Sequence, residues 1–223
     1  MGQALIRLLL LFYLFWVYKI PRNFEMKKKI IAICSSPNKG GNSETLLDSF
    51  LAGIPKDIVV KKFNLQEIDF ADYSYKFSKE PDPEIEPKFR ELCDAIKLAD
   101  GIVIATPTYN FSVPAKLKNL IDRIGYLALD YKKMNIIGQP TGLLGDKKLF
   151  TIITGGTPNF FRGILFLIFP GFWLRVVFAY YGCFSYSTKY AGELTFSNPA
   201  KNKLKLLAKF QKLGERFGKR LLK

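Results

Sequence analysis

The sequence contains no histidine, which excludes several common catalytic and metal-binding arrangements at once. A Ser-His-Asp triad and a Cys-His pair both use an imidazole as general base, and many zinc sites use histidine nitrogens. The three cysteines, Cys34, Cys93 and Cys183, are odd in number, far apart and without a CxxC pair. This spacing predicts small buried residues in a reducing compartment, with no disulfide framework, iron–sulfur cluster or other metal site.

Acidic residues are also few, since 19 Asp and Glu stand against 34 Lys and Arg, for a net charge of +15. Residues 198–223 hold nine of these cations and one acid, Glu215. Apolar residues recur there at helical spacing: Leu204, Leu207, Phe210, Leu213, Phe217 and Leu221. We expect an amphipathic C-terminal helix that packs on the core, with Asn198 as N-cap and Pro199 in its first turn. Attraction of its basic face to anionic lipid or phosphate-bearing ligands is the alternative. No nucleic-acid motif accompanies the charge, so nucleic acid is not an expected partner.

The apolar run at the N-terminus, residues 8–18, is too short for a membrane span. It has eleven residues, whereas a spanning helix needs about 17–25. No small-residue cleavage site follows it, as a signal peptide would require. Trp16 and neighbouring tyrosines suit a helix in the membrane interface, but translation from Met26 would make the segment a non-native extension. We therefore divide the chain into an apolar extension, 1–25, and one domain, 26–223.

Strand and helix patterns alternate along the rest of the chain. Strands are predicted at 28–34, 57–65, 99–105, 147–154 and 183–190, and helices at 43–54, 84–99, 114–126 and 160–181 and at the C-terminus. For the first helix, Asn42 or Ser43 is the expected N-cap. Alternation of this kind implies a parallel sheet covered on both faces. The prediction is an α/β, doubly wound, flavodoxin-like five-stranded parallel sheet of order 2-1-3-4-5, whose ligand lies at the carboxyl ends of strands 1 and 3.

The loop after the first strand, Ser35–Thr45, is rich in hydroxyls and glycines. Small side chains in front of a helix N-terminus allow backbone N–H groups to approach an anion. The loop is neither GxxxxGK[ST] nor GxGxxG, which disfavours a nucleoside triphosphatase and a dinucleotide fingerprint. Phosphate binding and an ordinary capped loop both remain open on this pattern.

The loop after the third strand contains two prolines and two aromatic residues. Pro107 favours extended backbone before it, and Pro114 suits the first turn of the next helix. Residues 108–112 then form a stiff arch whose backbone polar groups could address the edge of a planar heterocycle, while Tyr109 or Phe111 covers a face. The alternative is that the two rings tuck under the loop.

Paired glycines follow the fourth strand, in Thr154-Gly155-Gly156. Glycines at a strand end bring the backbone close to a ligand, although a tight turn would also explain them. Because the carboxyl ends of parallel strands share one edge, the three loops together predict a single binding site.

Three motifs resemble those of a known superfamily. Residues 107–111 match the Pro-x-Tyr-Asn-Phe motif of flavodoxin-like FMN-dependent NAD(P)H:quinone oxidoreductases and azoreductases. Residues 117–123 match its LK-x-x-x-DR element, and residues 138–148 match its G-x-P-x-GLL-x-x-KK segment. The first loop is more similar to that of the related NADPH-dependent FMN reductases. The resemblance covers about residues 28–195.

The resemblance implies FMN as cofactor and NAD(P)H as co-substrate, with hydride passing through flavin N5 to a quinone, azo compound or similar small acceptor by a ping-pong mechanism. It assigns the FMN phosphate to Ser35, Asn42 and Ser43, the ring to Pro107, Thr108, Tyr109, Asn110 and Phe111, and the other ring edge to Thr154, Gly155 and Gly156. Tyr109 is the candidate catalytic residue. Thr154 replaces the family's common Arg or Ser, and the histidine that some quinone reductases place beside the flavin is absent.

The region 160–182 is apolar on all helical faces, which is unusual for a solvated helix. Because the family consists mainly of homodimers, burial against a partner subunit is the first hypothesis. Membrane contact shared with residues 1–25 is the second. Pro170-Gly171 should break the region into two short helices. We expect a cytoplasmic enzyme, and association with the membrane through residues 1–25 is the alternative that applies if this segment is an interfacial anchor.

Two other function classes compete with this prediction. One is a flavodoxin-like electron carrier without a substrate of its own, although such carriers tend to be acidic and this chain is basic. The other is a membrane-linked binding protein that keeps the fold and has lost the flavin.

Overall fold

The computed structural model describes residues 27–74, 79–160 and 169–223. The predicted extension at 1–25 and residues 161–168 of the predicted helical region at 160–181 lie outside the described residues. Within the described ranges, no helix combines the length and the hydropathy needed to cross a membrane.

Strands and helices follow one another largely as the sequence pattern predicts. In chain order they are β1 (Lys29–Cys34), α1 (Asn42–Leu51), β2 (Val59–Asn64), α2 (Pro87–Leu98), β3 (Gly101–Pro107), α3 (Ala115–Arg123), α4 (Gly125–Ala128), β4 (Leu129–Met134), β5 (Pro140–Gly142), β6 (Lys148–Thr154), α5 (Phe169–Tyr180), β7 (Ser185–Ala191) and α6 (Leu204–Leu221). Short 3-10 turns occur at Leu65–Glu67 and Ala200–Asn202.

The main sheet has five parallel strands in the order β2-β1-β3-β6-β7. Counted within this sheet, the order is second, first, third, fourth and fifth, which confirms the predicted doubly wound architecture. An antiparallel pair, β4 with β5, forms a separate small sheet that the sequence analysis did not predict. Four of the six β4 residues are exposed, so this strand lacks the apolar alternation that would have revealed it.

Both faces of the sheet are covered by a hydrophobic core. On β1, Ile31 and Ile33 belong to the cluster that contains residues of α2, α3 and α5, whereas Ile30, Ala32 and Cys34 belong to the cluster with α1 and α6. The alternation follows from the two-residue period of a strand. All three cysteines are free and buried, as expected, and burial raises the pKa of the Cys34 thiol to about 11.

The C-terminal helix packs on the core, but it begins later than predicted. Asn198 does not cap it, because the chain first makes the turn Ala200–Asn202 and α6 starts at Leu204. Phe210 and Phe217 are buried, whereas Leu204 is exposed. A Cβ atom at Gly214 would overlap the carbonyl oxygen of Phe50, so glycine is required for the close approach of α6 to α1.

Two further local predictions are wrong. The N-cap of α1 is Gly41, and the side chains of Asn42 and Ser43 bind elsewhere because more distant partners are available. The second helix begins at Pro87, which leaves Ile85 exposed ahead of it, and Leu98 is exposed at its end. Ile85 fits the helical period but precedes the helix, whereas Leu98, the last residue of α2, lies on the face opposite the buried Phe89.

A buried ion pair joins α3 to the segment before α2. Arg123 is 1% exposed and donates to the Glu86 carboxylate from Nη1 at 3.0 Å and from Nη2 at 2.6 Å. Glu86 also accepts from the Ala71 N–H, and Arg123 donates to the Ala71 carbonyl. Burial opposes ionisation of Glu86, but the hydrogen bonds from Arg123 and Ala71 outweigh it and lower the pKa of the carboxyl. The pair therefore anchors the helix that follows the arch of residues 108–112.

Replacing Arg123 should be strongly destabilising. We expect Arg123→Met to lower the free energy of unfolding at neutral pH by about 3–5 kcal/mol, because it leaves a buried carboxylate without its cation. A depressed folded-state pKa stabilises the fold above the unfolded pKa and ceases to do so as pH falls through the folded value. The difference between wild type and variant should therefore narrow in acid, which urea unfolding at several pH values would measure.

The matched control is Lys118→Met on the same helix. Lys118 makes an exposed i,i+4 pair with Asp122 at 2.6 Å, and such pairs are worth less than about 1 kcal/mol. Equal losses in the two variants would contradict the structural role of the buried pair.

Candidate functional site

A cavity of about 620 Å³ opens at the carboxyl edge of the sheet. It is lined by residues 36–43 after β1, by residues 107–109 at the end of β3, by residues 154–156 at the end of β6, and by Leu194–Phe196, Pro199 and Lys201 after β7. The first three loops are those that the sequence predicted to form one site, and the structure brings them together.

The N-terminus of α1 forms one end of the cavity. The first N–H groups of a helix have no acceptor within it, so they are available to an anion. Gly41 lets the backbone turn tightly here, because a Cβ would lie 2.9 Å from the Asn38 carbonyl oxygen. The Gly40 N–H donates to Glu44 at 2.7 Å, and this bond, with a further contribution from Lys62, lowers the pKa of Glu44.

Lys62 compensates the acid nearest this helix end, and two other cations lie at the cavity. Lys62 contacts the Glu44 carboxylate at 2.9 Å. Lys39 and Lys201 line the cavity itself. Lys62 also pairs with Asp48 at 2.6 Å, and Lys39 makes a long pair with Glu67 at 3.9 Å. The positive potential that suits a phosphate group therefore comes mainly from the helix N-terminus and from Lys201.

The three predicted phosphate residues occupy different positions. Ser35 is fully buried, does not line the cavity and bonds the Ala105 carbonyl oxygen of β3 through its N–H and hydroxyl, at 2.9 and 3.3 Å. Ser36 lines the cavity in its place. Asn42 accepts from the Ala200 N–H at 2.7 Å, and the Ser43 hydroxyl lies 2.7 Å from the Thr154 hydroxyl. Asn42 and Ser43 thus also join the walls of the cavity to one another.

The predicted arch is a tight two-residue turn. Tyr109 and Ser112 exchange backbone hydrogen bonds at 2.9 Å, and the two central residues have positive φ, 48° at Asn110 and 64° at Phe111. Positive φ at both positions defines a type I′ turn, which suits Asn but strains Phe. The turn satisfies the N–H groups of Tyr109 and Ser112 itself, so fewer backbone groups face the cavity than the sequence analysis expected.

Strain at Phe111 is a local property of the candidate site. Non-glycine residues in the left-handed region cost roughly 1–3 kcal/mol and concentrate at functional sites. Phe111 is 57% exposed and Tyr109 is 41% exposed, so the two rings lie at the cavity lip and do not tuck under the loop.

Thr108 lines the cavity and carries a hydroxyl group without a hydrogen-bond partner in the described part of the chain. Its N–H donates to the Thr154 carbonyl at 2.8 Å, whereas its buried Oγ1 has no hydrogen-bond partner among the described residues. A buried hydroxyl without a partner is costly and calls for an explanation. A ligand that supplies the missing hydrogen bond would explain it.

The glycine pair forms the wall next to Thr108. The Gly155 N–H donates to Ala191 at 3.1 Å, and a Cβ at Gly155 would lie 2.8 Å from the Tyr190 hydroxyl. A smaller cavity of about 220 Å³ adjoins here, lined by both glycines, Thr108, Asn110, Phe111, Thr157 and Tyr190. The site therefore has a polar end at α1 and an aromatic end beside the turn.

The residues fit a flavin mononucleotide. A helix N-terminus with small side chains suits the phosphate, the unpaired Thr108 hydroxyl suits a polar ring edge, and the glycine wall allows close approach of a flat ring. The main cavity volume lies within the roughly 300–1,000 Å³ common for cofactor sites.

Sequence reasoning missed the wall formed by Leu194–Lys201. A usable signal was present, since this stretch follows the fifth strand and so leaves the sheet at the same edge as the other loops. Its contact with the cavity depends on the Asn42–Ala200 bond, which joins residues 158 positions apart.

Comparisons with known proteins agree with this geometry. Residues 28–159 match the model of the NADPH-dependent FMN reductase family. A relative from Mycoplasma pneumoniae, named FMN-dependent NADH:quinone oxidoreductase, is 31% identical over 137 residues, which cover 60% of this chain and 70% of that protein. A protein of the same name from Vibrio vulnificus is 29% identical over 143 residues, covering 60% and 69%.

Solved structures show the same fold. An FMN-dependent NADH-azoreductase from Bacillus anthracis, solved in complex with FMN, superposes with a TM-score of 0.65 at 17% identity, covering 86% of this chain and 100% of that one. An NAD(P)H:quinone oxidoreductase from Methanothermobacter marburgensis gives a TM-score of 0.65 at 18% identity, covering 86% and 99%.

The family match extends from the start of β1 past the glycine pair that follows β6, and so includes three of the four cavity walls. It spans more than half of the chain. On these grounds the chain belongs to the NADPH-dependent FMN reductase family.

Proposed function

We propose that this protein is an FMN-dependent NAD(P)H oxidoreductase that reduces a quinone, an azo compound or a similar small acceptor. The observation that carries the proposal is the convergence of an anion-binding helix N-terminus, an unpaired Thr108 hydroxyl and an aromatic turn on one cavity. When bound, FMN supplies the hydride chemistry that no side chain of this protein can provide.

The chain's own residues would bind and orient the two reactants. The N-terminus of α1, with Asn42 and Ser43, would hold the cofactor phosphate, and Lys39 and Lys201 would balance its charge. Pro107–Phe111 and Thr154–Gly156 would form adjoining walls around the ring. Ser35 would contribute indirectly, because its hydroxyl donates to the Ala105 carbonyl of β3 and so fixes the position of the phosphate-binding loop.

Tyr109 and Phe111 would contact the second reactant. Both rings are exposed at the lip of the cavity, where a nicotinamide and then an acceptor could stack in turn, as a ping-pong sequence requires. Tyr109 is the proposed catalytic residue because it carries the hydroxyl at this lip.

An electron carrier without its own substrate is the second candidate. The exposed aromatic lip favours the enzyme, because a small acceptor needs a surface on which to stack. The net charge of +15 also argues against an electron carrier, because flavodoxin-like carriers tend to be acidic.

A homodimer would cover an exposed apolar face of α5, and we propose this assembly. Phe172, Val176 and Tyr180 are 49%, 50% and 40% exposed and recur every four residues, whereas Leu174 and Phe178 on the same helix are buried. One helical face is thus left for a partner. Membrane contact through residues 1–25 is a separate proposal that rests on their sequence alone.

Purified full-length protein should bind FMN and oxidise NAD(P)H in the presence of a water-soluble benzoquinone. We expect steady-state turnover that depends on both substrates and parallel initial-rate lines. A protein that contains FMN but shows only a single turnover would support the electron carrier, and a protein that neither retains nor binds FMN would contradict both functions.

Thr108→Val should weaken FMN binding by about threefold to tenfold, because it removes one hydroxyl hydrogen bond of net strength about 0.5–1.5 kcal/mol. The apoprotein should be as stable as wild type or more stable, since an unpaired buried hydroxyl is lost. Titration of apoprotein with FMN, followed by flavin fluorescence, and urea unfolding would measure the two effects.

Thr106→Val is the matched control on the same strand. Thr106 is fully buried, and its hydroxyl donates to the Pro107 carbonyl at 3.1 Å. We expect this variant to lose about 1 kcal/mol of stability and to keep its FMN affinity. If both variants bind FMN like wild type, Thr108 does not contact the cofactor.

Val176→Glu should convert the dimer to a monomer, because it places a charge in the proposed apolar interface. Light scattering coupled to gel filtration would give the mass. Ile85→Glu is the control, since Ile85 is 73% exposed but lies outside α5. A monomeric wild type, or a dimer that survives the Val176 change, would contradict the proposed interface.

A further inference from the structure

The exposed side of α6 carries a straight row of cations. The row consists of Lys205, Lys209, Lys212, Arg216 and Lys219 on α6 and of Lys223 two residues after its end, and all six are exposed. Their alternating spacing of four and three residues places them on one helical face. At 1.5 Å per residue the row is about 27 Å long.

Few acids compensate this row. Glu215 is the single acid of α6 and pairs with Lys219 at 2.5 Å. Within the described part of the chain, no acid lies within ion-pair distance of the other five cations. The row therefore contributes little to the fold through ion pairs, and its mutual repulsion favours an external anion.

The row has a rigid base. The opposite face of α6 buries Phe210 and Phe217, and Gly214 packs against α1 with no room for a Cβ. The charges are consequently displayed on a fixed helix. Ordering them would require less conformational entropy than ordering a free basic tail.

An apolar-floored groove lies beside the second half of the row. It has a volume of about 580 Å³ between α6 and the edge strand β7, with Phe150 and Leu213 in its lining. Its rim includes Arg216, Lys219, Arg220 and Lys223. Cations above an apolar floor match the chemistry of an anionic headgroup attached to a hydrocarbon chain.

We propose that α6 is a docking surface for an anionic phospholipid membrane. A row of six cations over this length fits an extended sheet of phosphates better than one small anion. The aromatic residues Phe210 and Phe217 are buried, so α6 itself offers no surface on which nucleobases could stack.

Docking in this orientation would leave the cofactor cavity open. Lys201, just before α6, lines that cavity, whereas the carbonyl of Arg220 near the end of the helix accepts from Lys148 at the start of β6. The row thus leads away from the cavity towards the opposite edge of the sheet. The inference does not depend on the proposed activity.

Co-sedimentation of the full chain with vesicles tests the proposal. We expect binding to vesicles that contain phosphatidylglycerol, little binding to phosphatidylcholine alone, and weakening by added salt. Changing Lys212, Arg216, Lys219 and Lys223 together to Gln should weaken binding at least tenfold. A charge-conserving variant, in which Lys212, Lys219 and Lys223 become Arg and Arg216 becomes Lys, should bind like wild type.

A charge-matched control distinguishes vesicle binding by the α6 cations from binding through overall net charge or through residues 1–26. Lys56, Lys79, Lys132 and Lys133 are exposed and lie outside α6, and changing all four to Gln removes the same charge. This control should bind like wild type, with unchanged circular dichroism in every variant. Equal binding of the two Gln variants to the anionic vesicles would overturn the proposal. It would also be overturned if inorganic phosphate, added at the same total charge as the anionic lipid, displaced the protein from the vesicles. Tighter binding to a single-stranded oligonucleotide than to the anionic vesicles would contradict it as well.

Discussion

Parallel pairing of β3 with β1 on one side and β6 on the other is the constraint on which the site depends. The register places Cys34 opposite Ala105 and Pro107 opposite Thr154, so three strands end at one edge of the sheet. The loops that leave this edge then have no choice but to meet. Hydrogen bonds from Thr108 to Thr154 and between Ser43 and Thr154 hold them in one arrangement.

Stability and function occupy different parts of this framework. The groups that are unfavourable for folding, the strained Phe111 backbone and the unpaired Thr108 hydroxyl, lie at the cavity. The groups that secure the surrounding elements lie behind it, in the buried pair of Arg123 with Glu86 and in the contact of Gly214 with α1. A site of this kind is preorganised, because the residues that hold its elements in place have their hydrogen-bond and packing partners, whereas groups at the cavity still lack theirs.

The excess positive charge is concentrated in two places, and packing alone does not explain either of them. Lys39 and Lys201 belong to the cavity, where a phosphate would balance them. The row on α6 faces solvent on a helix whose other face is fixed in the core. Our proposals give each group of cations its own anionic partner, a cofactor phosphate at the cavity and a phospholipid membrane at α6.

The order of the five strands in the main sheet and the position of three of the four cavity loops follow from the sequence by itself. Hydrophobic period, the prolines at 107 and 114 and the paired glycines are local signals, and they predicted five parallel strands and the edge of the sheet at which the cavity opens. Local signals failed where a residue's partner lies far along the chain. Asn42 and Ser43 look like helix caps, yet they bind Ala200 and Thr154, and the LK-x-x-x-DR motif does not reveal that Arg123 pairs with Glu86. Only the tertiary structure could decide these roles, because a polar side chain takes whichever partner the folded chain brings within hydrogen-bond distance.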